Sequence, residues 1–600
     1  MAEQPDNDIK LPDPAELARN MVRIAAQSQR LVADFLARQA ADGAAGGVDP
    51  LNIGSAFQEM TARMMADPGK LVQAQLDLWK SYLDLWRNTT ERFLGNESKP
   101  LVAPDKGDRR FKDAAWDENQ LFDFIKQSYL LTARWLQNTV RNVEGLDDKT
   151  ARKVDFYTRQ FVDAMAPSNF VMTNPEVLRV TLESNGENLV HGLDHMLEDL
   201  DRGKGQLAIK MTDLAAFRIG ENVAATPGKV VYQNDLMQLI QYAPTTKTVY
   251  RRPLLIVPPW INKFYILDLR KENSFIRWAV GKGYTVFVVS WVNPDAELAQ
   301  KGFDDYMREG IIEAVDAVGR ATGEPDVTAI GYCIGGTLMA ATLAYMTAVG
   351  DDRIKAVTYF AAQVDFSEAG ELQIFIDEEQ LKHIEQLMRQ KGYLDGNEMS
   401  TTFNMLRAND LIWSFVVNNY LLGKEPFPFD LLYWNSDATR MPAKMHSYYL
   451  RNMYQRNLLS QPKALVMGGV PIDVTRIKVP SYIQCSKEDH IAPFRSVYKM
   501  VHLFRGPIRL VLAGSGHVAG VINPPAAKKY QHWVNEAKTF PPTPEEWFAT
   551  ATEVPGSWWE DWDRWLAKYS GERVPARRPG DGALPVLEDA PGSYVKVMSN

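Results

Sequence analysis

The chain has 600 residues, of which 24% are charged and 45% hydrophobic, a formal net charge of −8 and two cysteines. This is globular composition with room for two or more domains, and the acidic balance excludes a nucleic-acid binder, because pairs such as Arg109-Arg110, Arg251-Arg252 and Arg577-Arg578 are too short to form a basic patch. Cys333 and Cys485 alone cannot build a disulfide framework; with an acidic N-terminus lacking a secretory signal and no apolar run near about 18 residues, they set the expectation of a cytoplasmic protein with no membrane span.

The first hundred residues read as helical. Leu17, Met21, Ile24, Leu31 and Phe35 recur at three- and four-residue steps, and the Gly/Ala-rich stretch 41–50 should end that helix in a flexible linker. A second stripe, Val72, Leu76, Trp79, Leu83, Trp86 and Phe93, has near-heptad spacing and heavy aromatic content. Its first reading is the core of a bundle; a subunit contact or adhesion to an apolar surface are the alternatives. A polar segment, 96–106, leads into further helical sequence to about residue 205. His191 and His195 lie four apart there, but no further ligands at useful spacing support a metal site. Residues 1–205 are expected to form a helical N-terminal domain, with 1–95 loosely tethered.

From about residue 228 apolar, β-branched runs alternate with helices, at 253–257, 285–290, 327–330, 356–360, 481–485 and 508–512. Runs apolar on both faces predict a mostly parallel sheet covered on both sides. The catalytic core is expected at 206–365 and 479–572. The aromatic, Met-rich interval 366–478 breaks the rhythm and reads as an inserted cap over the strand ends, and 573–600 reads as a tail.

The run 327–337 holds Gly331-Tyr-Cys-Ile-Gly335, a nucleophile elbow carrying cysteine where esterases carry serine. Glycines stand two residues either side because a side chain there would strike the neighbouring strand or helix. Cys333 would then sit at a helix N-terminus, which favours thiolate. In this fold the acid and the histidine follow on loops after late strands. Asp489 follows the 481–485 run and His517 lies in a glycine-rich loop after 508–512; Glu488 and His490 are their nearest rivals. One oxyanion donor should be the amide of Ile334. The other should be Trp260 or Ile261, since the preceding Pro258 and Pro259 carry no N–H.

At this point a family resemblance is specific. Gly331-Tyr-Cys-Ile-Gly-Gly-Thr337, Pro258-Pro-Trp-Ile-Asn-Lys263 with the run to Leu269, Ser290-Trp-Val-Asn-Pro-Asp295, Glu488-Asp-His-Ile-Ala-Pro493 and Gly514-Ser-Gly-His-Val-Ala-Gly520 with the run to Pro525 resemble class I polyhydroxyalkanoate (poly-3-hydroxybutyrate) synthases. Asp108-Arg-Arg-Phe111, the segment from Tyr129 to Trp135, Pro167-Ser-Asn-Phe170 and Pro555-Gly-Ser-Trp-Trp559 do so as well, so the likeness covers about 105–572. It implies an α/β-hydrolase fold with an inserted lid behind a helical N-terminal domain. It implies that Cys333 carries the acyl group, Asp489 is the acid and His517 the base. Trp260, Asn262 and His490 become substrate-facing candidates, with Trp260 standing where most members have a small residue or cysteine, and Trp434 matches a tryptophan near the family's dimer contact. The implied substrates are 3-hydroxyacyl-CoA, most plausibly 3-hydroxybutyryl-CoA given Tyr332 and a length near 600, and the growing polyester. No cofactor or metal is implied. Homodimerisation, phasin or activator partners and a place at the polymer granule are implied. The alternatives are a Cys-Asp-His thioesterase or lactone hydrolase, and a non-catalytic granule-coating protein.

Overall fold

A computed structural model describes residues 13–41, 53–94, 98–537 and 539–599. The chain divides into two compact units, Met1–Asp213 with Phe403–Phe427, and Leu214–Thr402 with Pro428–Asn600.

The first unit contains α1 (Pro14–Ala41), α2 (Ile53–Ala66), α3 (Pro68–Phe93), α4 (Gln120–Arg141), α5 (Asp148–Ala164), α6 (Pro175–Glu183) and α7 (Glu187–Arg202). Their starts follow from capping chemistry: Asp67, Asn119, Asp147 and Asn174 each accept backbone N–H groups of the first turn, and Pro68 and Pro175 stand where the N–H would be orphaned. Of the stripe on α1, Leu17 and Ile24 are half-buried and Met21 is exposed; Leu31 and Phe35 lie outside the described side chains, as does the linker expected beyond Ala41.

The stripe on α3 is not a bundle core. Val72, Leu76, Trp79, Leu83, Trp86 and Phe93 are all exposed, Trp86 at 67% and Phe93 at 77%. α3 instead turns a smaller, more polar face to α4. Trp135 Nε1 donates to Ala74 O at 2.8 Å, Tyr82 Oη and Thr132 Oγ1 lie 2.7 Å apart, Leu85 is fully buried, and Arg92 pairs with Asp123. Hydrogen-bond partners on α4, which periodicity does not reveal, decide which way the helix rolls.

Residues from the middle of the interval read as a cap belong to this unit. Two π-helical turns lie there, Asn409–Trp413 and Val416–Leu421, the second packed against α7 and the first against the second. A Cβ at Gly192 would fall 1.8 Å from Tyr420 O, so only glycine allows the approach. Tyr420 Oη donates to Asp199 Oδ2 at 2.6 Å, Asn188 Nδ2 to Leu421 O at 2.7 Å, and Lys210 N to Asp199 Oδ2 at 2.9 Å.

The second unit is built on an eleven-stranded sheet: β1 (Gly228–Gln233), β2 (Met237–Tyr242), β3 (Leu254–Val257), β4 (Val286–Trp291), β5 (Val327–Tyr332), β6 (Ile354–Phe360), β7 (Ser481–Ser486), β8 (Ile508–Ala513), β9 (Gln531–Val534), β10 (Thr552–Pro555) and β11 (Glu588–Asp589). The spatial order is β10-β9-β8-β7-β6-β5-β3-β4-β2-β1-β11. The six strands expected from the sequence form its parallel centre, β8-β7-β6-β5-β3-β4, and the other five pair antiparallel on the flanks. Every residue of β3, β4 and β5 is buried, as a sheet covered on both faces requires. Residues 573–600 add β11 to the sheet edge, and Arg573–Pro575 pairs with Thr248–Tyr250. Helix α8 (Ile334–Val349) follows β5 directly, and the tryptophan-rich α9 (Trp559–Ala567) buries Trp559 and Trp562.

The Asp199 tie generates a stability prediction. Asp199→Ala strips a buried carboxylate from Tyr420, Lys210 N and Arg202, and should lower unfolding free energy by about 2–3 kcal/mol, read by urea titration of the intact chain.

Candidate functional site

Cys333 joins β5 to α8 with φ 52° and ψ −123°, a left-handed backbone that costs a non-glycine residue about 1–3 kcal/mol and persists only where its surroundings enforce it. They do so by close approach. A Cβ on Gly331 would lie 2.5 Å from Gly336 Cα, one on Gly335 2.4 Å from Val257 O and 2.6 Å from Pro258 O, and one on Gly336 2.4 Å from Ala362 Cβ. Cys333 N donates to Phe360 O at 2.8 Å, while Cys333 O accepts from Gly336 N and Thr337 N at the first turn of α8. The thiol is free and partly accessible.

Two loops at the carboxyl ends of neighbouring parallel strands bring the other groups together. After β7, Asp489 is buried, and its Oδ1 accepts from Ile491 N at 2.9 Å and Ala492 N at 2.8 Å. After β8, His517 is buried with Nδ1 2.7 Å from Asp489 Oδ2. Burial opposes charge on this imidazole, yet Asp489, hydrogen-bonded to it, and the neighbouring Cys333 outweigh that and hold its pKa well above the ordinary histidine range. That direction favours an imidazolium at His517.

Of the residues that carry this geometry, Gln363, Tyr449 and Tyr454 had no signal in the sequence, while Trp558 and Trp559 stood out only within the run Pro555–Trp559 that carries part of the family resemblance. Gln363, just after β6, accepts Thr337 Oγ1 on its carbonyl at 2.7 Å and donates Nε2 to Ile491 O at 3.0 Å, linking the elbow helix to the acid loop. Trp558 Nε1 donates to Gly520 O at 2.8 Å and Trp559 Nε1 to Val521 O at 2.9 Å, propping the histidine loop from below. Tyr449 and Tyr454 lie within electrostatic reach of Cys333; burial first raises both above the usual phenol range, followed by Tyr454 and then Cys333 for Tyr449, and by Cys333 for Tyr454.

The remaining expected positions separate clearly. Ile334 occupies the first turn of α8, where its amide has no helical acceptor. Loop 258–263 leaves β3 beside it: Trp260 is buried among Tyr306, Trp291 and Phe303, with ring centroids 4.9, 6.0 and 6.3 Å away, and its indole N–H finds no acceptor among the described residues. Ile261 and Asn262 are half-buried, Asn262 forming a β-bridge with Ala438. His490 is half-buried with its carbonyl against Gly370, and it is His517 that meets the carboxylate. Glu488 is exposed. Trp434 is only 7% exposed and donates Nε1 to Lys263 O at 2.8 Å. His191 lies 3.8 Å from Glu187 and His195 2.9 Å from Glu425 as ordinary pairs.

Residues 107–279 match the family model described as poly-beta-hydroxybutyrate polymerase (PhaC) N-terminus, and residues 271–524 match the alpha/beta hydrolase fold. The chain is 52% identical to a poly(3-hydroxyalkanoate) polymerase of Methylorubrum extorquens over 98% of both chains. It is 48% identical to a poly(3-hydroxyalkanoate) polymerase subunit of Rhizobium meliloti, covering 98% of this chain and 96% of that one, and 43% identical to one of Cupriavidus necator over 89% of both.

The imidazolium assignment has a pH signature. Because the His517 pKa is raised, its positive charge should extend to higher pH than that of an ordinary histidine and keep Cys333 reactive toward iodoacetamide at neutral pH. In His517→Gln the rate should instead fall once pH drops below about 8.5, the ordinary thiol value, while His490→Gln should behave as the parent. Cys485, fully buried with its thiol pushed up by burial, does not interfere. A larger effect at His490 would reverse the assignment.

Proposed function

We propose a mechanism from one premise: the chain belongs to the poly(3-hydroxyalkanoate) polymerase family. It is an acyltransferase that polymerises 3-hydroxyacyl units from acyl-CoA onto a growing polyester. Cys333, Asp489 and His517 are read as the groups that do this, and the observation that carries the reading is the 2.7 Å His517–Asp489 contact, within electrostatic reach of a cysteine in a strained elbow.

The Cys333 thiolate attacks the thioester carbonyl of a 3-hydroxyacyl-CoA. The oxygen that becomes negative is received by the amides of Ile334 and Ile261. As the carbon–sulfur bond to coenzyme A breaks, the departing thiolate takes the proton from His517, leaving the acyl group on Cys333. His517, now neutral, accepts the proton of an incoming 3-hydroxyl, whose oxygen attacks the Cys333 thioester; an oxoester forms, the chain grows by one unit, and Cys333 leaves as thiolate. Asp489 orients and stabilises His517. Both its oxygens are occupied, Oδ1 by two amides and Oδ2 by the imidazole, which favours this role over direct proton abstraction from substrate.

Four-carbon monomers are the preferred substrate in this reading. The enzyme works at the surface of its polymer, with the exposed α3 stripe as the face that meets it: Trp79, Leu83, Trp86 and Phe93 present an aromatic seam to solvent that burial against an apolar polyester would cover. A homodimer and phasin or activator partners complete the proposal on resemblance alone.

Three measurements test these statements. With 3-hydroxybutyryl-CoA the protein should release CoA and grow turbid, where a hydrolase would yield free acid, and Cys333→Ala should abolish both. Asp489→Asn should lower kcat by about 10³–10⁴-fold with the fold retained. The double change Trp79→Ser with Trp86→Ser should cut co-sedimentation with amorphous polymer by about tenfold without loss of helical circular dichroism; undiminished binding would remove α3 from the contact.

A further inference from the structure

The oxyanion loop is not held by the sheet. β3 ends at Val257, and loop 258–263 then leaves the ladder. A segment from 434 to 439, more than 170 residues away in sequence, holds it instead. Thr439, itself buried, donates Oγ1 to Trp260 O at 2.6 Å. Trp434 Nε1 takes Lys263 O at 2.8 Å, and Asn262 bridges to Ala438. Beneath these bonds Lys263 Nζ lies 2.7 Å from Asp437 Oδ1 with both side chains at most 3% exposed, and Tyr265 Oη donates to Asp437 Oδ2 at 2.8 Å. Trp291 Nε1 fixes the start of the loop through Pro258 O at 2.9 Å.

The peptide bond is planar and trans, so the carbonyl of one residue and the N–H of the next point in opposite directions along one plane. Fixing Trp260 O therefore fixes the direction of the Ile261 N–H. We infer that Thr439 is a positioning residue for the acyl transfer: by engaging Trp260 O it locks the Trp260–Ile261 peptide in the orientation that presents the Ile261 N–H to the reacting carbonyl oxygen. Asp437, paired with Lys263 and Tyr265, holds the turn that carries Thr439. Without the hydroxyl this peptide loses the bond on its own carbonyl, and any rotation would turn a carbonyl dipole toward the developing negative charge. The Trp260 ring packs against Tyr306, and its indole N–H finds no acceptor among the described residues, so the residue's polar tie to its surroundings runs through its carbonyl. A buried ion pair is a costly way to hold a turn unless its partners are all in place. Here the carboxylate meets Lys263 and Tyr265 together, so the turn has little freedom to drift from the loop.

The inference rests on Ile261 as an oxyanion donor, and its test separates failure of that step from failure of the Cys333 reading. Thr439→Val removes the hydroxyl and keeps the branched shape; Thr439→Ser keeps the hydroxyl; Asp437→Asn loosens the turn. For each, kcat and KM with 3-hydroxybutyryl-CoA are measured beside the rate of Cys333 alkylation by iodoacetamide, a displacement at saturated carbon that builds no oxyanion. Thr439→Val should lose about tenfold or more in kcat with KM within about threefold, Thr439→Ser should recover most of it, and alkylation should match the parent in both. Should Thr439→Val fail to fold, Asp437→Asn must show the same split. The inference is overturned if kcat of the variant that folds stays within about twofold of the parent, if only KM moves, or if alkylation slows in step with kcat. CoA release that survives in Cys333→Ala would instead overturn the nucleophile, independently of Thr439.

Discussion

The site depends on the left-handed backbone of Cys333. A non-glycine residue at φ 52° is tolerated because its amide is pinned to Phe360 O and its carbonyl caps the first turn of α8. That geometry lifts the thiol above the strand ends and sets Ile334 N–H beside it. The glycines at 331, 335 and 336 are there for contact distance: each stands where a methyl group would fall 2.6 Å or less from a neighbouring atom. A side chain at 335 would keep the elbow from lying against the end of β3, and one at 331 or 336 would force the β5–α8 turn apart.

Around that turn, each catalytic loop is fixed by groups belonging to another element. The acid loop is held by amides 491 and 492 on Asp489 and by Gln363; the histidine loop by two indole N–H groups; the oxyanion loop by Thr439, Trp434 and Trp291. Such cross-bracing suits chemistry in which water competes with the acceptor. A cysteine keeps the acyl group as a thioester, so the free energy of the CoA bond remains available for ester formation, but only while water is excluded. Asp489 and His517 are both buried, and under the proposed mechanism that burial would exclude water from the proton-transfer pair.

Much of this was legible in sequence. The six central strands show as runs apolar on both faces, and the elbow, Asp489 and His517 announce themselves by glycine spacing and by their place after strand runs. The flanking strands did not, because β9 and β11 are short and carry Gln531, His532, Glu588 and Asp589, which give no alternating pattern. The stripe on α3 misled for a physical reason: periodicity reports that a face is apolar, not which neighbour it meets, and α4 offered Tyr82 and Ala74 hydrogen-bond partners on the opposite side. Lys263–Asp437 and Thr439–Trp260 join positions with no local spacing relation, so no sequence pattern could pair them.

The central claim is that Cys333 holds the growing acyl group at thioester energy. Rapid acid quench of the protein with 3-hydroxybutyryl-CoA, followed by peptide mass spectrometry, tests it most directly. The account predicts adducts on the Cys333 peptide, rising in steps of one monomer and released by neutral hydroxylamine. CoA release at full rate with no adduct there, or with adducts confined to another residue, would contradict it.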